Sequence, residues 1–92
     1  MATFDARDWL AGLMGCARDE LTVRSTDRYG EHETQVRYDR GGSSVARIIV
    51  TGPVHDMNDQ AGVGHWVVAA QVGWDAKDAH KVTLPESDEI VY

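Results

Sequence analysis

Residues 32–51 read HETQVRYDRGGSSVARIIVT, and this stretch decides the kind of fold that the chain forms. Residues 32–39 alternate between side chains suited to a core and polar or charged ones, which is the pattern of a half-buried β-strand. The glycines in 40–44 predict a tight turn, and the β-branched run 45–51 predicts a central strand. Two such strands joined by a short turn indicate an antiparallel hairpin.

Further strands are predicted on both sides of this hairpin. The segment LTVRST, residues 21–26, is typical of a short strand that precedes it. Residues 65–74, HWVVAAQVGW, are apolar on both faces and favour an inner strand, although a buried helix could carry the same run. Residues 75–80 could form one helical turn, and KVTL, residues 81–84, predicts a strand that stops at a proline. We expect the last three residues to dock on the sheet or to pair at its edge.

The N-terminal segment FDARDWLAGLMGCARDEL, residues 4–21, has helical periodicity through Leu21. Asp5 is the expected N-cap, and Phe4 and Trp9 are spaced for a hydrophobic staple. Small residues predict a patch where another backbone approaches closely, either the domain's own sheet or a second chain; they are Ala11, Gly12, Gly15 and Cys16. The sequence therefore predicts an α+β fold, with an N-terminal helix packed on a mostly antiparallel sheet of four to five strands in two layers.

Composition limits the class of protein. The 92 residues suit one domain, 1–92, and a hydrophobic fraction of 42% argues against disorder. The formal net charge of −6 argues against direct nucleic-acid binding. One cysteine excludes an internal disulfide, and no apolar run approaches the roughly 18 residues of a membrane span. With no visible signal peptide, we expect a cytoplasmic protein.

The charge is distributed unevenly, and this favours a protein-binding function without catalysis. Residues 1–51 contain eight acidic residues and seven arginines, whereas residues 52–92 contain seven acidic residues and two lysines. We expect a regulator or inhibitor whose acidic half meets a basic surface on another protein, such as one that handles nucleic acid. In size and charge alone the chain resembles inhibitors encoded by phages and mobile elements. The residues expected to contact the partner are Asp56, Asp59, Asp75, Asp78, Glu86, Asp88 and Glu89.

The loop TGPVHDMNDQAGVGH, residues 51–65, raises an alternative. Its side chains His55, Asp56, Asp59 and His65 are of the types that bind transition metals, and they would make the chain a small metal- or histidine-dependent enzyme. Their spacing matches no local metal-binding motif, and a turn-rich connection between two strands explains the glycines and asparagine equally well.

Two other interpretations stay open. Arg24, Arg37 and Arg47 fall at outward positions of consecutive predicted strands, where a row of guanidinium groups could bind phosphate or carboxylate. The chain could also be a structural subunit of a homo-oligomer, with Trp66 and Trp74 or the C-terminal edge in the interface; a homodimer suits a domain with so small a core. No cofactor is predicted, because the sequence contains no glycine-rich phosphate loop and no CxxC element.

Overall fold

The computed structural model describes residues 2–55, 64–73 and 79–92. Strands β2 to β6 form one antiparallel sheet in chain order, and β1 pairs with β7 in a separate parallel sheet of two strands. The predicted α+β class, with one N-terminal helix and an antiparallel sheet, is confirmed. In chain order the elements are β1 (Thr3–Asp5), α1 (Ala6–Met14), a 3-10 turn (Arg18–Glu20), β2 (Leu21–Arg28), β3 (Glu33–Arg40), β4 (Ser43–Val54), β5 (His65–Val72), β6 (Ala79–Pro85) and β7 (Glu89–Val91).

Helix α1 begins where the sequence predicts and ends earlier. The Asp5 side chain accepts a hydrogen bond from the Asp8 amide at 3.0 Å, and the rings of Phe4 and Trp9 lie 5.6 Å apart, so the cap and the staple are both confirmed. The helix stops at Gly15, whose φ of 70° is the left-handed conformation that commonly ends helices. The expectation that the helical segment runs through Leu21 was wrong, because this cap ends α1 before the 3-10 turn and Leu21 begins β2.

The expectation that the domain's own sheet approaches the glycines of this patch was wrong within the described part of the chain, and the alternative of a second chain stays a prediction. A Cβ atom built on Gly12 or Gly15 would meet no atom within 4 Å. Gly15 serves the helix cap instead, and Gly12 is exposed. Ala11, another member of the predicted patch, is buried in the core, as is Ala6.

The core lies between α1 and one face of the five-stranded sheet. Leu10 of α1 is fully buried, together with sheet residues that alternate along β3, β4 and β5, namely Val36, Tyr38, Ala46, Ile48, Val68 and Ala70. The side chains between them point to the opposite side, which we call the open face. Ile49, Val67 and Ala69 lie there and are not part of the core cluster.

The strand predictions hold with changes at their ends. Strand β4 is the middle strand of the sheet and β5 lies between two neighbours, as predicted, while β2 extends two residues beyond the predicted end. The helical turn predicted over 75–80 is wrong at Ala79 and His80, which begin β6, and its other residues lie outside the described ranges. The C-terminal residues Ile90 and Tyr92 dock on the core, as expected, but β7 pairs with β1 rather than with an edge of the large sheet.

Within the described ranges, no helix combines the length and the apolar character that crossing a membrane requires.

Candidate binding cleft

The turn after β6 and the two ends of the loop 52–64 meet at one end of the molecule. The Gly64 amide donates a hydrogen bond to the Glu86 carboxylate at 3.1 Å, and the Glu86 amide donates to the Gly64 carbonyl at 3.0 Å. The His55 ring lies beside the same carboxylate, with Nε2 and Oε2 3.9 Å apart. A Cβ on Gly64 would lie 2.8 Å from both the His55 ring and the Glu86 carboxylate, so glycine is what permits this contact. The ends of the loop 52–64 and the turn after β6 are therefore neighbours, and residues of both segments were expected to contact a partner.

Beside this contact is a cleft of about 530 Å³, on the α1 side of the sheet, which we call the Trp66 cleft. Val50 and Trp66 come from the sheet, and Ile90 and Tyr92 come from the C-terminal segment. All four pack in or against the hydrophobic core, and together they form an apolar floor. The cleft thus opens where the C-terminal segment lies over the sheet.

Trp66 is fixed in its place by two neighbours. Its indole Nε1 donates to the Glu86 carbonyl oxygen at 3.3 Å. Gly52 lies against its other side, where a Cβ would be 3.2 Å from Trp66 Cε3 and 2.8 Å from the His65 carbonyl oxygen. The φ of 134° at Gly52 is also one that residues with a side chain rarely adopt. The local sequence therefore builds a rigid aromatic surface.

Tyr92 closes the floor from the C-terminal side. Its carbonyl oxygen accepts hydrogen bonds from Arg7 Nε at 3.1 Å and from the hydroxyl of the buried Tyr38 at 3.3 Å. Burial raises the pKa of the Tyr92 phenol, and the nearby Arg28 guanidinium lowers that pKa in part. The phenol is therefore uncharged at neutral pH and leaves the floor apolar.

Charged side chains line the cleft at its rim. Three are carboxylates, namely Glu31, Asp88 and Glu89, and two are basic, Arg28 and His32. Glu31 and His32 are 92% and 72% exposed at their side chains, and their closest charged atoms are 3.8 Å apart. The three carboxylates outnumber the two basic side chains, so the rim is net negative and attracts cationic groups.

Asp88 and Glu86, which were also expected to contact a partner, differ from each other in position. Asp88 lies at the rim and its Oδ1 also accepts from the Ala2 amide at 3.3 Å, whereas the Glu86 carboxylate is engaged by Gly64. The expectations for Asp56, Asp59, Asp75 and Asp78 fall outside the described residues.

Two of the four residues in the metal hypothesis lie within the described ranges. His55 and His65 are described, and the strand register places Val54, not His55, opposite His65. Asp56 and Asp59 lie outside the described ranges. Among the residues that are described, no three side chains of metal-ligating type come together.

The predicted arginine row is correct for two of its three members. Arg37 lies directly opposite Arg47 on the open face. A register shift between Val23 and Ser25 brings Ser25 opposite Arg37, so Arg24 is not in the row. The Arg24 guanidinium instead pairs with the Asp39 carboxylate at 3.3 Å. The expectation that Arg24 lies in one row with Arg37 and Arg47 was wrong because of this β-bulge.

Sequence reasoning did not find the Trp66 cleft as a site. Its floor and rim come from segments of the chain as distant as Arg28 and Tyr92, and no local motif joins them. The same β-bulge in β2 turns Arg28 to the side of the sheet that bears the cleft, opposite Thr34. Two features of the sequence could have indicated it: the apolar residues Ile90 and Tyr92 at alternate positions, and Gly52 directly before Pro53.

Comparison with known proteins gives no relative from which to transfer a function: no family model, no curated protein and no solved structure matches this chain.

Proposed function

We propose that this protein is a non-catalytic binding module, a regulator or inhibitor, that receives a segment of another protein in the Trp66 cleft. The observation that carries the proposal is the cleft itself, which combines an apolar floor with a net acidic rim. Its volume of about 530 Å³ lies in the range of roughly 300–1,000 Å³ that is usual for ligand sites.

The floor supports a protein partner because it offers fixed aromatic surface. Tryptophan and tyrosine are enriched among the residues that contribute most to binding energy in protein interfaces. The Trp66 indole is held by the Glu86 carbonyl, so this side chain has little freedom left to lose on binding. The backbone of Tyr92 is held by Arg7 and Tyr38. An apolar side chain of the partner would fill this space.

The rim supports a basic partner. Glu31 and Glu89 are exposed and stand on different sides of the floor, one in the turn between β2 and β3 and one in β7. A lysine or arginine next to the inserted apolar side chain would be attracted by these carboxylates. Such rim charges affect mainly the rate of association and its dependence on salt.

The test is a selection of peptides on the immobilised protein. A random peptide library is displayed on phage, and binders are identified at low salt. We expect the enriched sequences to place an aromatic or aliphatic residue beside lysine or arginine. Their affinity should fall as salt rises, as measured by fluorescence anisotropy with the labelled peptide.

Two matched variants locate the binding. Glu31→Lys with Glu89→Lys reverses the rim, and Asp19→Lys with Glu33→Lys makes the same change in charge at exposed positions outside the cleft. We expect the rim variant to weaken binding about tenfold, since two exposed charges each contribute on the order of 0.5–1 kcal/mol. Equal weakening by both variants, or selected peptides without basic residues, would refute the proposal.

A further inference from the structure

A second site lies on the open face of the sheet, on the opposite side from the Trp66 cleft. A small pocket of about 160 Å³ is lined there by Arg37 of β3, Arg47 of β4 and Gln71 of β5, among others. The strand register places these three side chains in one row, with Arg47 in the middle. The Arg47 Nε donates to Gln71 Oε1 at 2.8 Å, which orients the guanidinium across the row.

The two guanidinium groups of this row repel each other. Side chains directly opposite in an antiparallel pair have Cβ atoms only about 5 Å apart, and like charges in such positions are destabilising. The ion pairs found within the described ranges include neither Arg37 nor Arg47, although they include Arg18, Arg24 and Arg40. This part of the molecule therefore concentrates positive charge, although the whole chain is acidic.

A buried amide provides the second, independent observation. Gln35 also lines the pocket, is only 6% exposed, and its Nε2 has no hydrogen-bond partner among the described residues. A buried donor without an acceptor is costly, and native structures contain few of them. Gln35 lies two residues from Arg37 on the same strand, so its side chain is on the same face as the arginine row.

We propose that this pocket binds a phosphate group, either as inorganic phosphate or as a small phosphate monoester. A phosphate group carries about 1.5 to 2 negative charges at neutral pH and can offset most of the charge of both guanidinium groups, whereas a single carboxylate offsets one. Its oxygens also supply the acceptor that the Gln35 Nε2 lacks. Two acidic residues near the pocket limit its positive charge. Asp27 lies opposite Gln35 in β2, and Asp39 pairs with Arg24.

The test is a titration of the intact protein with inorganic phosphate and with O-phosphoserine, followed by ¹⁵N NMR. We expect saturable shifts of the Gln35 side-chain amide and of the Arg37 and Arg47 Nε–H signals, with a Kd of about 1 mM or tighter. The tighter of the two ligands identifies the source of the phosphate group. Acetate at the same concentration should not saturate these signals. Absence of saturable shifts with both phosphates overturns the proposal.

Variants distinguish a specific phosphate site from non-specific attraction by positive charge. Arg47→Gln removes one positive charge from the pocket, and Lys81→Gln removes one from the same face but outside the pocket lining. We expect Arg47→Gln to weaken phosphate binding about tenfold or more and Lys81→Gln to change it less than about twofold. Gln35→Met keeps both arginines and should also weaken binding, which covers the case in which Arg47→Gln fails to fold. Equal weakening by Lys81→Gln would overturn the proposal.

Discussion

Replacing Gln35 by methionine should make the protein more stable. The side chain is only 6% exposed, and in the described part of the chain its Nε2 has no hydrogen-bond partner. Methionine has nearly the same length and no polar hydrogen to satisfy. A buried unsatisfied polar group costs about 1–3 kcal/mol of stability. In the methionine variant, a small loss of packing offsets part of the gain from removing that group. We therefore expect the free energy of unfolding to rise by about 1 kcal/mol. For a chain of this length, this corresponds to a Tm increase of about 4–8 °C.

Urea and thermal denaturation followed by circular dichroism measure this change, and Gln71→Met is its matched control. Gln71 is on the same face, but its Oε1 accepts from Arg47 Nε at 2.8 Å. The same substitution there removes a hydrogen bond and should lower stability by about 0.5–1 kcal/mol. If Gln35→Met lowered stability by as much as Gln71→Met, the Gln35 amide would have a partner in solution and the reasoning would be refuted.

Four further substitutions test the local accounts of the fold, all by chemical denaturation. Gly12→Ala should stabilise α1 by about 0.5–1 kcal/mol, because no atom is near enough to clash with the added methyl group. Gly52→Ala should cost more than about 2 kcal/mol, because of the positive φ at Gly52 and a 2.8 Å clash. Equal effects of the two substitutions would contradict both assignments. Leu10→Ala, at a fully buried position, should cost about 2–5 kcal/mol, and a cost below 1 kcal/mol would mean that α1 does not pack on the sheet. Asp5→Ala should cost about 1 kcal/mol at neutral pH. The pKa of Asp5 is lowered, first by the hydrogen bond from the Asp8 amide, so its contribution is present above the ordinary carboxyl pKa. The contribution is lost as pH falls through the folded-state value, and the difference from wild type should therefore shrink in acid.

The larger features of the fold could be predicted because they depend on short-range patterns. Alternation in 32–39 placed Val36 and Tyr38 on the core face, and the Gly41–Gly42 turn fixed the hairpin. The end of α1 was missed because apolar residues continue at helical spacing up to Leu21, and only the left-handed conformation of Gly15 reveals the stop. The pairing of β1 with β7 joins opposite ends of the chain, and no local pattern reports it.

The candidate sites could be predicted only in fragments. Arg37 and Arg47 were found because both are at outward positions of strands paired by a short turn. Arg24 was wrongly added, since a β-bulge cannot be recognised from alternation alone. The acidic residues Asp88 and Glu89 were found from charge, but the apolar floor beneath them depends on tertiary packing of Trp66 against the C-terminal segment. Charge is visible in a sequence, whereas a concave surface is not.

The most direct test of the Trp66 cleft is the NMR signal of its own indole. A peptide from the phage selection is titrated into ¹⁵N-labelled protein, and the Nε1–H signals of Trp66 and Trp9 are followed together. Trp66 Nε1 donates to the Glu86 carbonyl in the cleft, while Trp9 lies in α1, packs on Phe4 and is not among the residues that line the cleft. The account predicts that the Trp66 signal shifts saturably, with the Kd found by anisotropy, and that the Trp9 signal stays in place. A bound peptide that leaves the Trp66 signal unchanged would contradict it.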